Sequence, residues 1–287
     1  MGNPQKYERI GISIGGGFDI ETLPAVLSRI AKFGFIHYVE LDANTGGPII
    51  GGRINKYIMR EVKKILSDYN FKYTVHKADL YDLRDIENIA LNQEMYKVSL
   101  QYAQQIGAEV FVDHYNVKTN NPRVEAAFEE SLSKMAEAAH DIGVTICLEN
   151  IETDPFMNTL ECIKKIDHPD LRMTVDFGHA YLTSRYFGDD FLGNIAAAKP
   201  YLRHIHIHDN LGIFDTARLA WQQKSLKQRL PFGKGDLHLP IGWGEIPFKD
   251  VFKILGDDYS GIYMLENSVG TNERFVPDIV GTLLDLI

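Results

Sequence analysis

The sequence predicts an α/β protein that folds as one closed (β/α)₈ barrel over residues 1–287. Short apolar runs alternate with amphipathic stretches from end to end, which gives eight β–α units. No segment rich in Pro, Gly and Ser divides the chain into separate domains. Strict alternation predicts parallel strands joined by right-handed helical crossovers, and eight units are enough to close a barrel. An open, doubly wound sheet is the alternative.

Each predicted strand is a short apolar run, and each predicted helix shows a period near 3.6 residues. Gly34, Gly107 and Gly143 end three of the helices, as glycine often does at a helix C-terminus. The predicted strands are residues 9–14, 37–43, 72–76, 109–114, 144–150, 171–177, 202–209 and 261–267. The predicted helices are about 20–34, 54–69, 88–106, 122–142, 157–166, 188–199, 247–255 and 274–287.

Composition excludes several classes of partner. Lys and Arg number 30 against 39 Asp and Glu, so the formal charge of −9 disfavours nucleic acid and anionic membranes. No apolar stretch approaches the roughly 18 residues of a membrane helix, and the first residues lack a signal-peptide core. Cys147 lies in an apolar run, which favours a buried thiol over a disulfide with Cys162. We therefore expect a cytoplasmic protein.

The predicted strand ends carry residue types that bind divalent cations. The C-terminal strand ends of a barrel converge on one mouth, where carboxylates without a cation would repel one another. Alone, such a His is usually a hydrogen-bonded wall residue and such a Glu an ion-paired rim residue. Their recurrence at consecutive strands favours a site for Zn, Mn, Co or Fe. The strand-end candidates are His76, His114, Glu149, Asp176, His206 and Glu266.

Two segments add further candidates to the mouth. In VDFGHAYL, residues 175–182, we expect a tight turn at Phe177–Gly178 that brings His179 back to the mouth. In GDLHLPIGWGEI, residues 235–246, Asp236 and His238 are two apart, so on an extended segment they point the same way. A solvated turn is the alternative for this second segment. His204 and His208 are expected to line the site and pack beside His206.

The connection at about 210–235 is a basic, lid-like insertion after the seventh strand. Residues 216–235 contain five Lys or Arg and no acid, and their leucines have helical spacing. Three alternatives stay open: a solvated helix packed on the barrel or on another subunit, a lid that holds a phosphate or carboxylate of the substrate, and an element that grips DNA.

Two glycine-rich stretches resemble nucleotide-binding loops only superficially. GISIGGGFD, residues 11–19, and NTGGPIIGG, residues 44–52, have neither the spacing of a dinucleotide fingerprint nor the lysine of a P-loop. We expect tight loops over the mouth after the first two strands.

The chain resembles the xylose-isomerase-like TIM barrel superfamily, which contains sugar isomerases, sugar epimerases and endonuclease IV. The resemblance spans nearly the whole chain and rests on CLEN, VDFGH, HIHIHDN, DLHLPIGWGEI and YMLEN. It implies one divalent metal, and up to three. The shared site would match Glu149, Asp176, His206 and Glu266. The two further metals of endonuclease IV would match His76 and His114, with Glu149 bridging, and His179, Asp236 and His238.

The resemblance implies an isomerase or epimerase that acts on a small sugar or sugar derivative. Glu149 and Glu266 would exchange a proton next to a carbonyl through an enediolate. The alternative is an endonuclease IV-like phosphodiesterase with several metals. Three features favour the sugar enzyme. This chain has Phe177–Gly178 where endonuclease IV has Thr-Cys, its net charge is negative, and its connection after strand seven is long. Neither nucleic acid nor a membrane is expected as a partner, and homo-oligomerisation stays open.

Overall fold

Eight parallel strands form a closed barrel, which confirms the predicted fold and excludes the open sheet. The computed structural model describes residues 4–77, 81–220, 222, 224–266 and 273–287. The barrel is closed by pairing of its first and last strands, where Ile10 lies in register with Tyr263. The barrel strands are β1 (Ile10–Ser13), β2 (Tyr38–Asp42), β5 (Lys72–His76), β6 (Val110–His114), β7 (Thr145–Glu149), β8 (Leu171–Asp176), β9 (Leu202–Ile207) and β10 (Ile262–Leu265).

The helices surround the barrel and pack on it mainly through apolar residues. In α10, Phe248, Val251, Phe252 and Leu255 are buried at the spacing of a single helical stripe. The described helices are α1 (Pro4–Tyr7), α2 (Leu23–Ala31), α3 (Lys56–Ser67), α4 (Ile89–Gln105), α5 (Pro122–His140), α6 (Phe156–Ile166), α7 (Phe177–Phe187), α8 (Phe191–Ala198), α9 (Leu226–Arg229), α10 (Phe248–Leu255) and α11 (Val276–Leu284). None of them is long and apolar enough to cross a membrane. The cytoplasmic location and the oligomeric state stay predictions.

The interior of the barrel changes from apolar to polar along its axis. A small apolar cluster that includes Tyr38, Val112 and Cys147 fills the interior away from the mouth. Glu149 and His206, nearer the C-terminal strand ends, are also fully buried. Cys147 and Cys162 are free and buried, as predicted.

The segment after β8 differs from the prediction. A tight turn at Phe177–Gly178 was expected, but helix α7 begins at Phe177 and α8 follows separately from Phe191. The Asp176 carboxylate caps α7 by accepting a hydrogen bond from the His179 N–H at 2.6 Å. The first turns of α7 are buried nearly all round. The polar face by which a helix is recognised in a sequence is therefore missing there.

The structure also corrects the predictions for two loops. At the end of the glycine-rich stretch after β2, β3 (Ile49–Ile50) and β4 (Arg53–Ile54) pair as a short antiparallel hairpin. The basic insertion is not one continuous helix. It contains 3₁₀ turns at Thr216–Ala220 and Leu230–Phe232 beside the four-residue α9. Pro231 lacks the backbone N–H that a continuing helix needs. Trp221 and Gln223 of the insertion, and Asn267 of the YMLEN motif, lie outside the described residues.

Asp209 holds the connection after β9 in place. Its buried carboxylate accepts hydrogen bonds from the N–H groups of Gly242 and Gly244, at 2.9 and 2.8 Å, and of Ile246, at 3.2 Å. Its backbone pairs with Leu239 in both directions, at 2.7 and 3.0 Å. A Cβ at Gly244 would lie 2.4 Å from the Asn210 carbonyl oxygen, so this loop requires glycine. The segment that carries Asp236 and His238 is thereby fixed against the barrel.

Asp209→Asn is expected to lower the free energy of unfolding by about 2 kcal/mol, because an amide NH₂ would face several N–H donors. Urea unfolding followed by circular dichroism measures this. Asp250→Asn, at an exposed position of α10, is the control and should change stability by only a few tenths of a kcal/mol. Equal losses in the two variants would show that Asp209 does not organise the loop.

Candidate metal centre

Four predicted metal ligands converge at the mouth of the barrel. Their donor atoms all lie within 4.8 Å of one another. His206 Nδ1 lies 3.2 Å from Glu149 Oε1 and 3.5 Å from Glu266 Oε2. The set is Glu149 at the end of β7, Asp176 at the end of β8, His206 in β9 and Glu266 directly after β10.

Three of these donor atoms are buried and have no hydrogen-bond partner among the described residues. They are Glu149 Oε1, His206 Nδ1 and Glu266 Oε2. Buried polar atoms are nearly always paired, so three unpaired acceptors that face one another need a common partner. A divalent cation bound by nitrogen and oxygen would satisfy all three. The residues therefore fit the metal that the sequence implies.

Glu40 orients His206 from below and was missed by the sequence analysis. The Nε2–H of His206 donates to Glu40 Oε1 at 3.0 Å, which leaves Nδ1 as the free lone pair at the mouth. The hydroxyl of Thr74 donates to the other oxygen of Glu40 at 3.1 Å. Burial opposes ionisation of Glu40, but the neighbouring His206 ring holds its pKa down at about 2. Two acidic residues on one face of the short YVELD strand, Glu40 and Asp42, were the available signal.

His204 and His208 have different environments. His204 is fully buried, and its burial lowers its pKa to about 3, so it is a neutral packing residue as predicted. His208 does more than line the site, because its Nε2 donates to Asp176 Oδ2 at 2.9 Å. Its ring also stacks on His238 with centroids 4.2 Å apart. His208 therefore positions the Asp176 carboxylate.

The rings of His76 and His114 lie close to Oε2, the second carboxylate oxygen of Glu149. Their Nε2 atoms are 3.2 and 3.7 Å from Glu149 Oε2, and their ring centroids are 4.8 Å apart. His76 Nδ1 lies 3.0 Å from the Lys77 carbonyl oxygen, to which it donates its proton. Burial opposes protonation of His76, but the hydrogen bond to Glu149 raises its pKa to about 9.

His179 and His238 both approach Asp236. Their Nε2 atoms lie 3.5 and 2.6 Å from Asp236 Oδ2. Each ring donates its Nδ1–H to a backbone carbonyl, His179 to Asn150 at 3.0 Å and His238 to Glu266 at 2.7 Å. His238 has a φ of 46°, so the extended backbone predicted for this segment is wrong, although its side chain does reach Asp236. Positive φ in a non-glycine residue is unusual and is often found at functional sites.

The three groups of ligands differ in how tightly they converge. The central four form one compact set, and His76 joins Glu149 and His206 in another. Among the described residues, His179, Asp236 and His238 do not form such a set together. His179 instead forms one with Asp176 and His208, and His238 forms one with His208 and Glu266. The pKa of His206 is held well above its ordinary value, because the attraction of Glu149, Glu266 and Glu40 outweighs burial. The mouth therefore has a negative potential that attracts cations.

Comparison with known proteins decides the family. The sequence profile described as xylose isomerase-like TIM barrel matches residues 27–277. The chain belongs to this family. An uncharacterised protein of Methanocaldococcus jannaschii, MJ1311, is 26% identical over 237 residues, which cover 73% of each chain.

Two solved structures share the fold at low sequence identity. A D-tagatose 3-epimerase-like protein is 20% identical, with a TM-score of 0.70 over 96% of this chain and 98% of that chain. The 3-keto-D-glucoside 4-epimerase YcjR from E. coli is 15% identical, with a TM-score of 0.68 over 96% and 98% of the two chains. The barrel fold of this chain is therefore shared with both proteins over nearly their whole length.

Gly178→Ala is expected to disrupt the centre, because the new Cβ would lie 1.9 Å from Cε1 of the His208 ring. His208 must move, which breaks its hydrogen bond to Asp176, and we expect metal affinity to fall at least tenfold. Gly281→Ala in α11 is the control, since no atom lies within 4 Å of the added Cβ. Titration of the metal against a chromophoric chelator compares the two. Unchanged affinity in Gly178→Ala would contradict this packing.

Glu40→Gln is expected to weaken metal binding about 10- to 100-fold, because a neutral amide supports the His206 imidazole less well than a carboxylate does. Glu109→Gln is the matched control. Glu109 accepts a hydrogen bond from Tyr38 and pairs with Arg203, at 2.8 and 3.2 Å, away from the mouth. Both variants should unfold cooperatively. Equal metal affinity in the two would show that Glu40 does not act through His206.

Proposed function

We propose that this chain is a metal-dependent isomerase or epimerase of sugars or sugar derivatives, working by proton transfer at a carbon next to a carbonyl. The observation that carries the proposal is the convergence of Glu149 and Glu266 on the unpaired Nδ1 of His206. Two structures with the same fold, a D-tagatose 3-epimerase-like protein and a 3-keto-D-glucoside 4-epimerase, support the choice of substrate class.

Glu149, Asp176, His206 and Glu266 would hold the metal in this proposal. A divalent cation there supplies Lewis-acid stabilisation of the negative charge that develops on the substrate oxygens. Zn, Mn, Co and Fe all suit the mixed carboxylate and imidazole donors. Orientation of the ligands comes from the chain itself, through Glu40 beneath His206 and His208 beside Asp176.

Glu149 and Glu266 would carry the proton. They reach the site from β7 and from the end of β10, which are separated in the barrel by β8 and β9. Two carboxyl groups on either side of a substrate carbon can remove a proton from one face and return one to the other face. That exchange inverts the carbon, which is epimerisation. His179, at 3.5 Å from Asp236, would hold a substrate hydroxyl beside this pair.

A hydrolase with several metals, similar to endonuclease IV, is the second candidate. Its specific support is the orientation of His76, His179 and His238, which each donate Nδ1–H to a backbone carbonyl. Their Nε2 atoms therefore face carboxylate oxygens of Glu149 or Asp236, where extra metals would bind in this candidate function. Several metals suit phosphodiester cleavage. The formal charge of −9 disfavours a duplex partner. One metal per chain supports the sugar enzyme, and three support the hydrolase.

Proton exchange tests the proposed reaction directly. Incubation of ketoses with the metal-loaded protein in deuterated water should place deuterium on the carbon next to the carbonyl, detected by NMR. Cleavage of duplex DNA that contains an abasic site is expected to be absent or weak. Efficient cleavage without any sugar exchange would replace the proposal with the hydrolase.

Glu149→Gln and Glu266→Gln should each lower turnover by at least a hundredfold, because each removes a charged ligand and a proton carrier. Circular dichroism should show a folded barrel, since the apolar core lies away from the mouth. Glu161→Gln, at an exposed position of α6, is the control and should keep full activity. Near-normal turnover in either mouth variant would rule out the two-glutamate mechanism.

A further inference from the structure

The two glycine-rich loops enclose a cavity beside the mouth that the proposed reaction does not use. The loops are joined by a hydrogen bond from the Gly46 N–H to the Phe18 carbonyl oxygen at 2.8 Å. The cavity has a volume of about 420 Å³, within the usual range for small-molecule sites. Its walls include Phe18, Asp42, Ile49 and Met95. The loops therefore line a cavity beside the mouth, which we call the chamber.

Asp42 connects this chamber with the metal centre. Glu40 and Asp42 are two apart in β2, so their side chains share the inner face of the barrel, with Asp42 nearer the mouth. Asp42 lies in register with His76 on the neighbouring strand β5. A substrate held at the centre would therefore meet the chamber on the side of β1 and β2.

The Asp42 carboxylate is half-buried and accepts no hydrogen bond from the described residues. Its neighbour Gly16 approaches so closely that a Cβ there would lie 1.9 Å from Asp42 Oδ2. Any side chain at position 16 would collide with the carboxylate, so the loop needs glycine there. A half-buried carboxylate that accepts no hydrogen bond from the described residues can accept hydrogen bonds from a ligand with hydroxyl groups.

The chamber has the wrong charge for an anionic group. Asp19 and Asp42 contribute carboxylates to it, and none of the described residues that line it is Lys or Arg. Phe18, Ile49 and Met95 add apolar surface. A group that combines hydroxyl donors with an apolar face of C–H bonds fits these walls, whereas a phosphate would meet like charge. A sugar ring has that combination.

We propose that the substrate is an uncharged glycoside or disaccharide rather than a free or phosphorylated monosaccharide. Its reacting keto-sugar occupies the metal centre, which rests on the proposed function. Its second sugar ring occupies the chamber between the glycine-rich loops, with its hydroxyls donating to Asp42. The glycine-rich loops therefore set the size and charge of the substrate.

The rival is a phosphorylated sugar held by the basic insertion. Arg229 is buried there, and its Nε and Nη1 have no hydrogen-bond partner in the part of the chain that the structure describes. Arg218 of the same insertion is paired with Glu152 at 2.6 Å. Arg229 does not line the chamber. Comparison of a phosphorylated ligand with a glycosylated one therefore separates the two ideas.

Calorimetric binding to the metal-loaded protein makes this comparison. The probes are D-fructose, D-fructose 6-phosphate and isomaltulose, which is D-fructose with glucose joined at O6. We expect isomaltulose to bind at least tenfold more tightly than D-fructose, and the phosphate ester to bind no more tightly than D-fructose. Tighter binding of the phosphate ester, or absence of any preference for isomaltulose, would overturn the proposal.

The variants Ile49→Trp and Ile50→Trp test whether the preference for isomaltulose over D-fructose arises in the chamber. Ile49 lines the chamber, whereas the adjacent Ile50 is 57% exposed and does not line it. Ile49→Trp should reduce the ratio of the two affinities to about one, while Ile50→Trp should leave it unchanged. A preference that survives Ile49→Trp would place the second ring elsewhere and overturn the assignment.

Deuterium exchange on the same probes separates failure of this inference from failure of the proposed function. Chamber-dependent binding of isomaltulose without exchange on any ketose would support the chamber and contradict the reaction. Exchange on D-fructose, with equal affinities and no effect of Ile49→Trp, would support the reaction and contradict the chamber.

Discussion

The structure depends on how the negative charge of several carboxylates, brought together at one buried point, is compensated. Glu149 and Asp176 are fully buried, and Glu266 joins them at the end of β10. Burial raises the pKa of Glu266, and the charges of Asp176 and Glu149 add to that effect. A barrel whose strand ends carry these groups needs compensating positive charge, and the neighbouring imidazoles or a cation can supply it. The unpaired Nδ1 of His206 favours the cation.

A second set of contacts keeps the donors oriented, and it extends well beyond them. Glu40 holds His206, and His208 holds Asp176. Asn150 receives the His179 Nδ1–H on its backbone oxygen, and its side chain also bonds both backbone groups of Asp176 at 3.0 Å. Glu40 lies on β2, and Asn150 and His208 directly follow the strands that carry Glu149 and His206. Rigid strands therefore set the geometry of the site, which suits a reaction that needs two fixed carboxylates.

The barrel and the convergence of the four central residues could be predicted because each follows from a simple sequence pattern. Strands of a parallel barrel are apolar and regularly spaced, and polar residues at their ends stand out against that background. The start of α7 could not be recognised, because its first turns are buried and its cap is Asp176 itself. Glu40 was missed because its partner, His206, lies on another strand of the barrel. The contact of His208 with Asp176 likewise appears only once separate segments are brought together.

The most direct test of the central claim is a crystal structure of the metal-loaded protein with anomalous scattering data. The account predicts one strong anomalous peak at about 2.0–2.2 Å from the donor atoms of Glu149, Asp176, His206 and Glu266, with His206 binding through Nδ1. A peak confined to His179, Asp236 and His238, or a centre that binds no metal while His206 Nδ1 donates to a carboxylate, would contradict it.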